Sequence, residues 1–400
     1  MKLGIILEGK IPPDSRVPLV PDQCAAILKK YPVELVVQRS PHRCYKDEEF
    51  VQAGVAMADD LSDCDVLMGV KEVPVNMMIP GKTYFFFSHT IKKQPYNRRM
   101  LQAILEKQIR LVDYEILTDE RGFRLIAFGR FAGMVGAHNA LYTYGRRTGV
   151  ISLPRMKDCH DYAAAKRIYH QTHFPPIKVV VTGGGRVANG ACEVLKDMGF
   201  HRITPAEFLF SHFDHPVFTQ LNPEQYAAHK EGKLFSPQDF YDNPADFQSA
   251  FSPYAQVADI FINGIFYDQR APAFFTVEEM RKPEFNIQVI ADVTCDIAPK
   301  ASVPSTLRAS TIADPIYGYD PVSRSETQPF QDGIIDVMAI DNLPNEMPRD
   351  ASRAFGEQFI KHILPELLKQ GSPVIERATI AEKGHLTAHF MYLRDFVEGT

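Results

Sequence analysis

The 400 residues contain no tryptophan and only six cysteines: Cys24, Cys44, Cys64, Cys159, Cys192 and Cys295. None forms a CxxC pair, which argues against a cysteine metal clip and a disulfide framework and leaves buried, inert thiols as the expected state. Basic blocks are missing too. Forty-four Lys and Arg against 49 Asp and Glu leave a net charge of -5, with nothing to track a phosphate backbone, so nucleic acid is not an expected partner. No apolar stretch could span a bilayer, and the apolar part of Met1 to Glu8 is too short for a signal-peptide core. The expectation is a cytoplasmic chain with no membrane partner. Repeats and low-complexity tracts are absent, and with 23% charged and 45% hydrophobic residues the composition is not that of a disordered or collagen-like chain.

What remains is an ordinary globular composition long enough for two domains. Short apolar runs alternate with helical patterns, which is how a parallel sheet covered by helices reads. In the first part they are Leu3 to Leu7, Val33 to Val37, Val66 to Val70, Tyr84 to Phe87 and Ile109 to Val112. A second sheet is expected from Lys178 to Thr182, Ile260 to Asn263, Val289 to Val293 and Val337 to Asp341. A long helix over Phe131 to Arg147 would carry the chain from one to the other. From Asp350 to Gln370 apolar residues recur every three to four positions, the stripe of a surface helix. Pro365 should kink that helix and Gly371 should end it. The predicted fold is α/β, two Rossmann-like lobes with parallel sheets and a cleft between them. Residues 1–130 with about 350–400 would form a substrate and catalytic domain, and 131–349 a dinucleotide-binding domain with an insertion around 205–255. That insertion holds His212, His215 and His229, with His201 just before it, but no Cys and no ligand spacing, so no metal is expected.

The run Val179 to Thr182 enters Gly183, Gly184, Gly185, Arg186, Val187 and Ala188, and then a helical stretch. In a strand-turn-helix setting, Gly183 permits the sharp turn, Gly185 the approach of a pyrophosphate and Ala188 tight helix packing. A dinucleotide is therefore favoured over a merely structural turn. The second strand should end near Ile203, where an acidic residue would bind the ribose of NAD. None is clearly there. His201 and Arg202 precede that point and Glu207 follows it, so Arg202 either receives the extra phosphate of NADP or is a solvated surface residue.

Ligands of open α/β sheets bind at the carboxyl ends of strands. Lys71 and Glu72 follow one apolar run, His89 another, and Glu115 a third. A lysine beside apolar walls loses proton affinity, and an imidazole exchanges protons near neutrality without help. The bland readings are a salt bridge for Lys71 and a hydrogen-bonded surface ring for His89. Arg16, in the loop after the first strand, could hold a carboxylate with its planar fork, as could Arg124 or Lys92; each could equally be solvated.

These residues match a known pattern. The chain resembles lysine-forming saccharopine dehydrogenase and, more closely, the lysine-ketoglutarate reductase half of the animal bifunctional enzyme, within the alanine dehydrogenase and transhydrogenase superfamily. The resemblance covers nearly the whole chain and rests on Gly69 to Pro74, Phe87 to Lys92, Ala127 to Gly129 with Ala132-Gly133, Phe261 to Ile265, and Ile340 to Pro344. It implies Lys71 and His89 as the acid-base pair, Arg16 and Arg124 as substrate-carboxylate contacts, and Asp14, Glu72 and Glu115 as charges nearby. For the cofactor, NAD or NADP, it implies the Gly183 to Ala188 turn with Asn263, Gly264, Ile265 and Asp341. The implied reaction is reversible reductive condensation of lysine with 2-oxoglutarate to saccharopine, with lobe closure shielding the imine. The glutamate-forming second domain is absent from these 400 residues, so a full two-step lysine breakdown is not expected of them. An alanine dehydrogenase-like or other opine-type amino-acid dehydrogenase is the alternative, and a silent nucleotide-binding regulator the alternative in another class. A homo-oligomer is compatible with all three.

Overall fold

Eighteen strands organise the described residues, and their order decides which residues meet. The computed structural model describes residues 1–399. The first six strands are β1 (Lys2–Ile5), β2 (Glu34–Gln38), β3 (Ala56–Ala58), β4 (Val66–Met68), β5 (Thr83–Phe86) and β6 (Arg110–Asp113). There follow β7 (Lys178–Thr182), β8 (His201–Arg202), β9 (Val217–Leu221), β10 (Ala227–His229), β11 (Phe247–Ser249), β12 (Ile260–Asn263) and β13 (Val289–Asp292). The last are β14 (Tyr317–Asp320), β15 (Ser325–Thr327), β16 (Ile335–Met338), β17 (Thr379–Glu382) and β18 (His385–Leu386). The chain divides into two units, Met1–Phe128 with the segment from Pro348 onward, and Gly129–Met347. Among the described residues no helix is long and apolar enough to cross a membrane.

In the first unit the sheet runs β18-β17-β6-β5-β4-β1-β2-β3. β1 to β6 are parallel to their neighbours, and β17 and β18 close the edge antiparallel. From β1 the chain moves to β2 on one side and later resumes with β4 on the other, so the order reverses between β1 and β4. A crevice opens at such a reversal because the two connections leave in opposite directions.

The C-terminal helix belongs to this unit. It starts as Pro348–Gln358 and lays Phe355 against Phe128, stacked at 4.6 Å between ring centroids, and edge-on to Tyr114 at 5.0 Å. The kink expected at Pro365 takes a definite form: Phe359–Ile363 widens into a π-helical turn before Leu364–Leu367 resumes the α-helix. Proline has no N–H for the carbonyl four residues back and its ring crowds that turn, and the wider turn relieves both. Gly371, at φ 65, turns the chain out of the segment.

The second unit's sheet runs β15-β14-β16-β13-β12-β7-β9-β8. Its reversal lies between β7 and β12. One expectation is corrected here. The stretch read as the second strand pairs only over His201–Arg202, as an edge strand, and β9 is inserted between it and β7. The segment around 205–255 is therefore not wholly an insertion, because it supplies a central strand; the β10-β11 hairpin stands apart as its own small sheet. Thr219 and Gln220 interrupt the apolar run that would have marked β9.

Helix Gly129–Thr148 packs on helix Arg186–Asp197 through glycine. A Cβ on Gly133 would stand 1.8 Å from the Val187 carbonyl oxygen, and one on Gly190 2.0 Å from that of Arg130. Only glycine lets the backbones approach this closely, and the contact sets the start of the helix that follows the glycine turn. Gly133→Ala should therefore destabilise the chain by about 1–3 kcal/mol through overpacking, read as a lowered unfolding midpoint in a thermal melt. An unchanged midpoint would contradict the close approach.

Candidate active site

In the first unit, the tips of β1, β4, β5 and β6 gather the charged groups. Glu8 follows β1 and reaches across the reversal: its two carboxylate oxygens accept the backbone N–H groups of Val70 at 2.6 Å and Lys71 at 2.9 Å. The loop carrying Lys71 is thus held by a side chain from the neighbouring strand. Burial, with Asp14 close by, pushes the Glu8 carboxyl up to about 8 against the pull of those two hydrogen bonds. Lys71 is shifted the other way. Burial chiefly, and the positive charges of Arg16 and Lys10, make its ammonium more acidic than an ordinary lysine.

Glu72 ties this tip to the next. One of its oxygens meets His89 Nδ1 at 2.6 Å and the other accepts from Lys10 Nζ at 3.0 Å. Burial opposes ionisation of Glu72, but the hydrogen bond and charge of His89 together with Lys10 prevail and bring its carboxyl to about 2. With Nδ1 engaged by Glu72, Nε2 is the ring nitrogen left for a further partner, and the ring is held in one orientation. The His89 backbone sits in the left-handed region at φ 54, a conformation costly for a non-glycine residue. Asp113 fixes the residue before His89: its carboxyl accepts from the Ser88 N–H at 3.0 Å and from the Ser88 hydroxyl, and from the Glu115 N–H at 2.7 Å.

The expected carboxylate contacts are engaged within the unit. Arg16 and Asp14, 3% and 2% exposed, form a two-pronged pair at 2.9 and 2.6 Å, and the Arg16 guanidinium lies 4.3 Å from the centre of the Phe128 ring. Arg124 donates to Glu115 at 2.7 Å, and Lys92 approaches the same oxygen at 3.2 Å. Burial works against the Glu115 charge, yet Lys92 and Arg124 hold its carboxyl below the usual range. All seven residues expected in this lobe lie in this unit: Lys71, Glu72, His89 and Glu115 just beyond strand tips, Asp14 and Arg16 in the loop after β1, and Arg124 in the loop after β6. Sequence reasoning missed Glu8, Lys10 and Asp113. Glu8 directly follows the first apolar run and Asp113 ends the fifth, so the strand-tip rule applied to every run would have found both.

The second unit holds the glycine turn. Gly183 has φ 104, and a Cβ there would stand 2.8 Å from the Gly264 carbonyl oxygen. Gly185 is the N-cap of helix Arg186–Asp197 and brings no capping side chain. A Cβ on it would meet nothing within 4 Å, so the helix N-terminus opens on free space, the setting in which backbone N–H groups receive an anion. Ala188 is fully buried beside Gly264. Asn263 is placed differently from a direct contact: its side chain is buried, donating to Asp292 at 2.8 Å and Ser302 at 2.9 Å and accepting from Thr182 at 3.1 Å. Asp292, which sequence reasoning also missed, is pushed up to about 6 by burial. Asp341 is exposed beyond β16, and Arg202 lies on the edge strand. The cysteines are free thiols, and burial raises all six. Among the described residues no cluster of His, Cys, Asp and Glu is arranged to hold a metal ion.

The sheets and their two reversals define an α/β protein with the fold of L-alanine dehydrogenase: the solved structure of that enzyme matches with a TM-score of 0.68 at 16% identity, covering 100% of both chains. Transhydrogenase from Sinorhizobium meliloti matches at 0.59, with 13% identity over 97% of this chain and 100% of that one. By sequence, residues 4–135 match the family described as alanine dehydrogenase/PNT, N-terminal domain. The chain is 28% identical, over 98% of its length, to alpha-aminoadipic semialdehyde synthase of Arabidopsis thaliana, and 27% identical over 96% to the mitochondrial protein of that name in Mus musculus. It spans 41% and 46% of those two proteins, less than half of either. It is also 27% identical to the saccharopine dehydrogenase [NAD(+), L-lysine-forming] of Schizosaccharomyces pombe, over 92% of this chain and 94% of that protein.

The Glu72 charge carries a stability signature. Its folded value of about 2 lies below that of a free glutamate, about 4.3, so the stabilisation is present in full above about pH 4 and is lost as the pH falls through about 2. Glu72→Gln should cost about 2 kcal/mol in urea unfolding at pH 7, with the gap to the parent closing between pH 4 and pH 2. A gap constant with pH would mean that the charge is not what stabilises.

Proposed function

We propose that this chain is an oxidoreductase acting on the CH–NH bond of amino acids, and that its reaction is the reversible NAD(P)-dependent condensation of L-lysine with 2-oxoglutarate to saccharopine. The observation that carries the reading is one cluster: a lysine made acidic by burial, and an imidazole oriented through Nδ1 by a carboxylate, on adjacent strand tips. The similarity over nine-tenths of the chain to lysine-forming saccharopine dehydrogenases supports the choice of substrates.

The chemistry needs several proton transfers at one carbon. The lysine ε-amine attacks the C2 carbonyl of the oxo acid, the carbinolamine loses water, and the resulting imine is reduced. His89 gives and takes protons through Nε2. Lys71, its ammonium made more acidic than an ordinary lysine's chiefly by burial, serves as the second acid-base group. Glu72 keeps the ring oriented, Glu8 keeps the Lys71 loop in place, and Arg124 receives a carboxylate of the substrates, whereas the buried fork of Arg16 is taken by Asp14.

The residues of the second unit fit a nicotinamide dinucleotide, because the open helix start at Gly185 and the glycine-only backbone at Gly183 are what a pyrophosphate requires. Gly183, Gly184, Gly185, Arg186, Val187 and Ala188 would hold it, with Gly264 and Ile265 beside Gly183 and Asp341 beyond the end of β16. When bound in reduced form it supplies the hydride that saturates the imine carbon.

A panel of amines and oxo acids with NADH and with NADPH tests the reading. Saccharopine formed from lysine and 2-oxoglutarate is expected; turnover only of ammonia with pyruvate would replace it with an alanine dehydrogenase, and dinucleotide binding without turnover of any pair with a regulator. His89→Ala and Lys71→Ala should each lower kcat by about 10²–10⁴-fold while leaving dinucleotide affinity unaltered. Unchanged kcat in both would remove them from the chemistry.

A further inference from the structure

Resting on the reading of the Gly183 turn as a dinucleotide site, we infer that Asn222, at the tip of β9, is the residue that meets the adenosine ribose, and that it selects the coenzyme lacking a 2′-phosphate. In a doubly wound sheet the ribose is read from the end of the strand lying beside the glycine-turn strand. Here that strand is β9, paired with β7 from Lys178↔Val217 to Thr182↔Leu221. β8 pairs only with β9, so Arg202 stands two strand spacings from β7, about 10 Å.

Two contacts fasten the β9 tip to the turn. Gln220 Nε2 donates to the Gly183 carbonyl at 2.9 Å and to Asn189 Oδ1 at 3.1 Å. Asn222 Oδ1 leans over the turn itself, 2.8 Å from where a Cβ on Gly184 would stand. The Asn222 backbone is held in turn by its N–H donating to Gln225 Oε1 at 2.8 Å. An exposed carboxamide at this place can hydrogen-bond a ribose hydroxyl, but it offers no positive charge to a phosphate dianion.

The surroundings agree. After β9 the chain carries Glu224 and no Lys or Arg before Lys230. Tyr226, at the end of the short turn that Asn222 begins, lines a cavity of about 190 Å³ that is completed by the segment after β12, including Phe266, Tyr267 and Phe274. That lining is apolar and aromatic, and its one charged member, Asp268, is negative and paired with Arg270 at 2.7 Å. Arg186 starts the helix with its Cβ 3.6 Å from a Cβ position on Gly129.

The test is a fluorescence titration of the whole chain with NADH and with NADPH, in the absence of substrate. The parent is expected to bind NADH at least about tenfold more tightly, a difference of about 1.4 kcal/mol. Asn222→Arg should shift the NADH-to-NADPH ratio toward NADPH by about tenfold or more, and Arg202→Ala should leave it unaltered. Preference of the parent for NADPH, a ratio unmoved by Asn222→Arg, or a ratio moved by Arg202→Ala would each overturn the assignment while leaving the dinucleotide site standing. Binding of neither nucleotide would remove the dinucleotide site and this assignment with it.

Discussion

The Glu8 carboxyl spanning the gap between two strand tips is the interaction on which the first unit's site depends. Backbone N–H groups at a strand's carboxyl end have no ladder partner, and a loop that leaves them unsatisfied is free to wander. Glu8 satisfies two in succession, at Val70 and Lys71, so the Lys71 side chain starts from a fixed backbone. The carboxyl is thereby buried near Asp14; burial and Asp14 both favour its neutral form, with Arg16 opposing them in part. Glu72 and Asp113 repeat the device on the neighbouring tips, one holding the His89 ring and the other the Ser88 backbone before it. Each expensive feature, a buried acid or a left-handed histidine, is sustained by a partner on an adjacent strand.

This produces a site in which neighbouring carboxyls titrate far apart. Glu8 stays protonated to about 8 while Glu72 is ionised down to about 2. The difference comes from partners: Glu72 faces a histidine and a lysine, whereas Glu8 faces backbone dipoles and another carboxylate. A carboxyl held neutral adds no negative charge beside Lys71, while one held charged keeps the imidazole oriented.

The parts legible in the sequence were those with a local signature. Continuous Val, Ile and Leu runs located most of the parallel strands within a residue or two, because strands covered on both faces need no alternation. Gly183 to Ala188 announced their turn since a positive φ and an open helix start leave few residue choices. Lys71, His89 and Glu115 followed from the rule that chemistry collects where strands end. β9 was not legible: Thr219 and Gln220 break its apolar run, and its place beside β7 depends on pairing across the sheet. Nor was the two-pronged tie of Arg16 to Asp14, or the π-helical form of the break before Pro365.

The amino-acid order alone thus determined which segments become most of the parallel strands, where the backbone must turn sharply and which reactive groups stand at their ends, because propensity, periodicity and steric freedom act over a few residues. Tertiary structure alone decided which strand lies beside the glycine turn, which carboxyl keeps its proton and which nitrogen of His89 is committed, because strand order and burial depend on contacts between residues far apart in the chain.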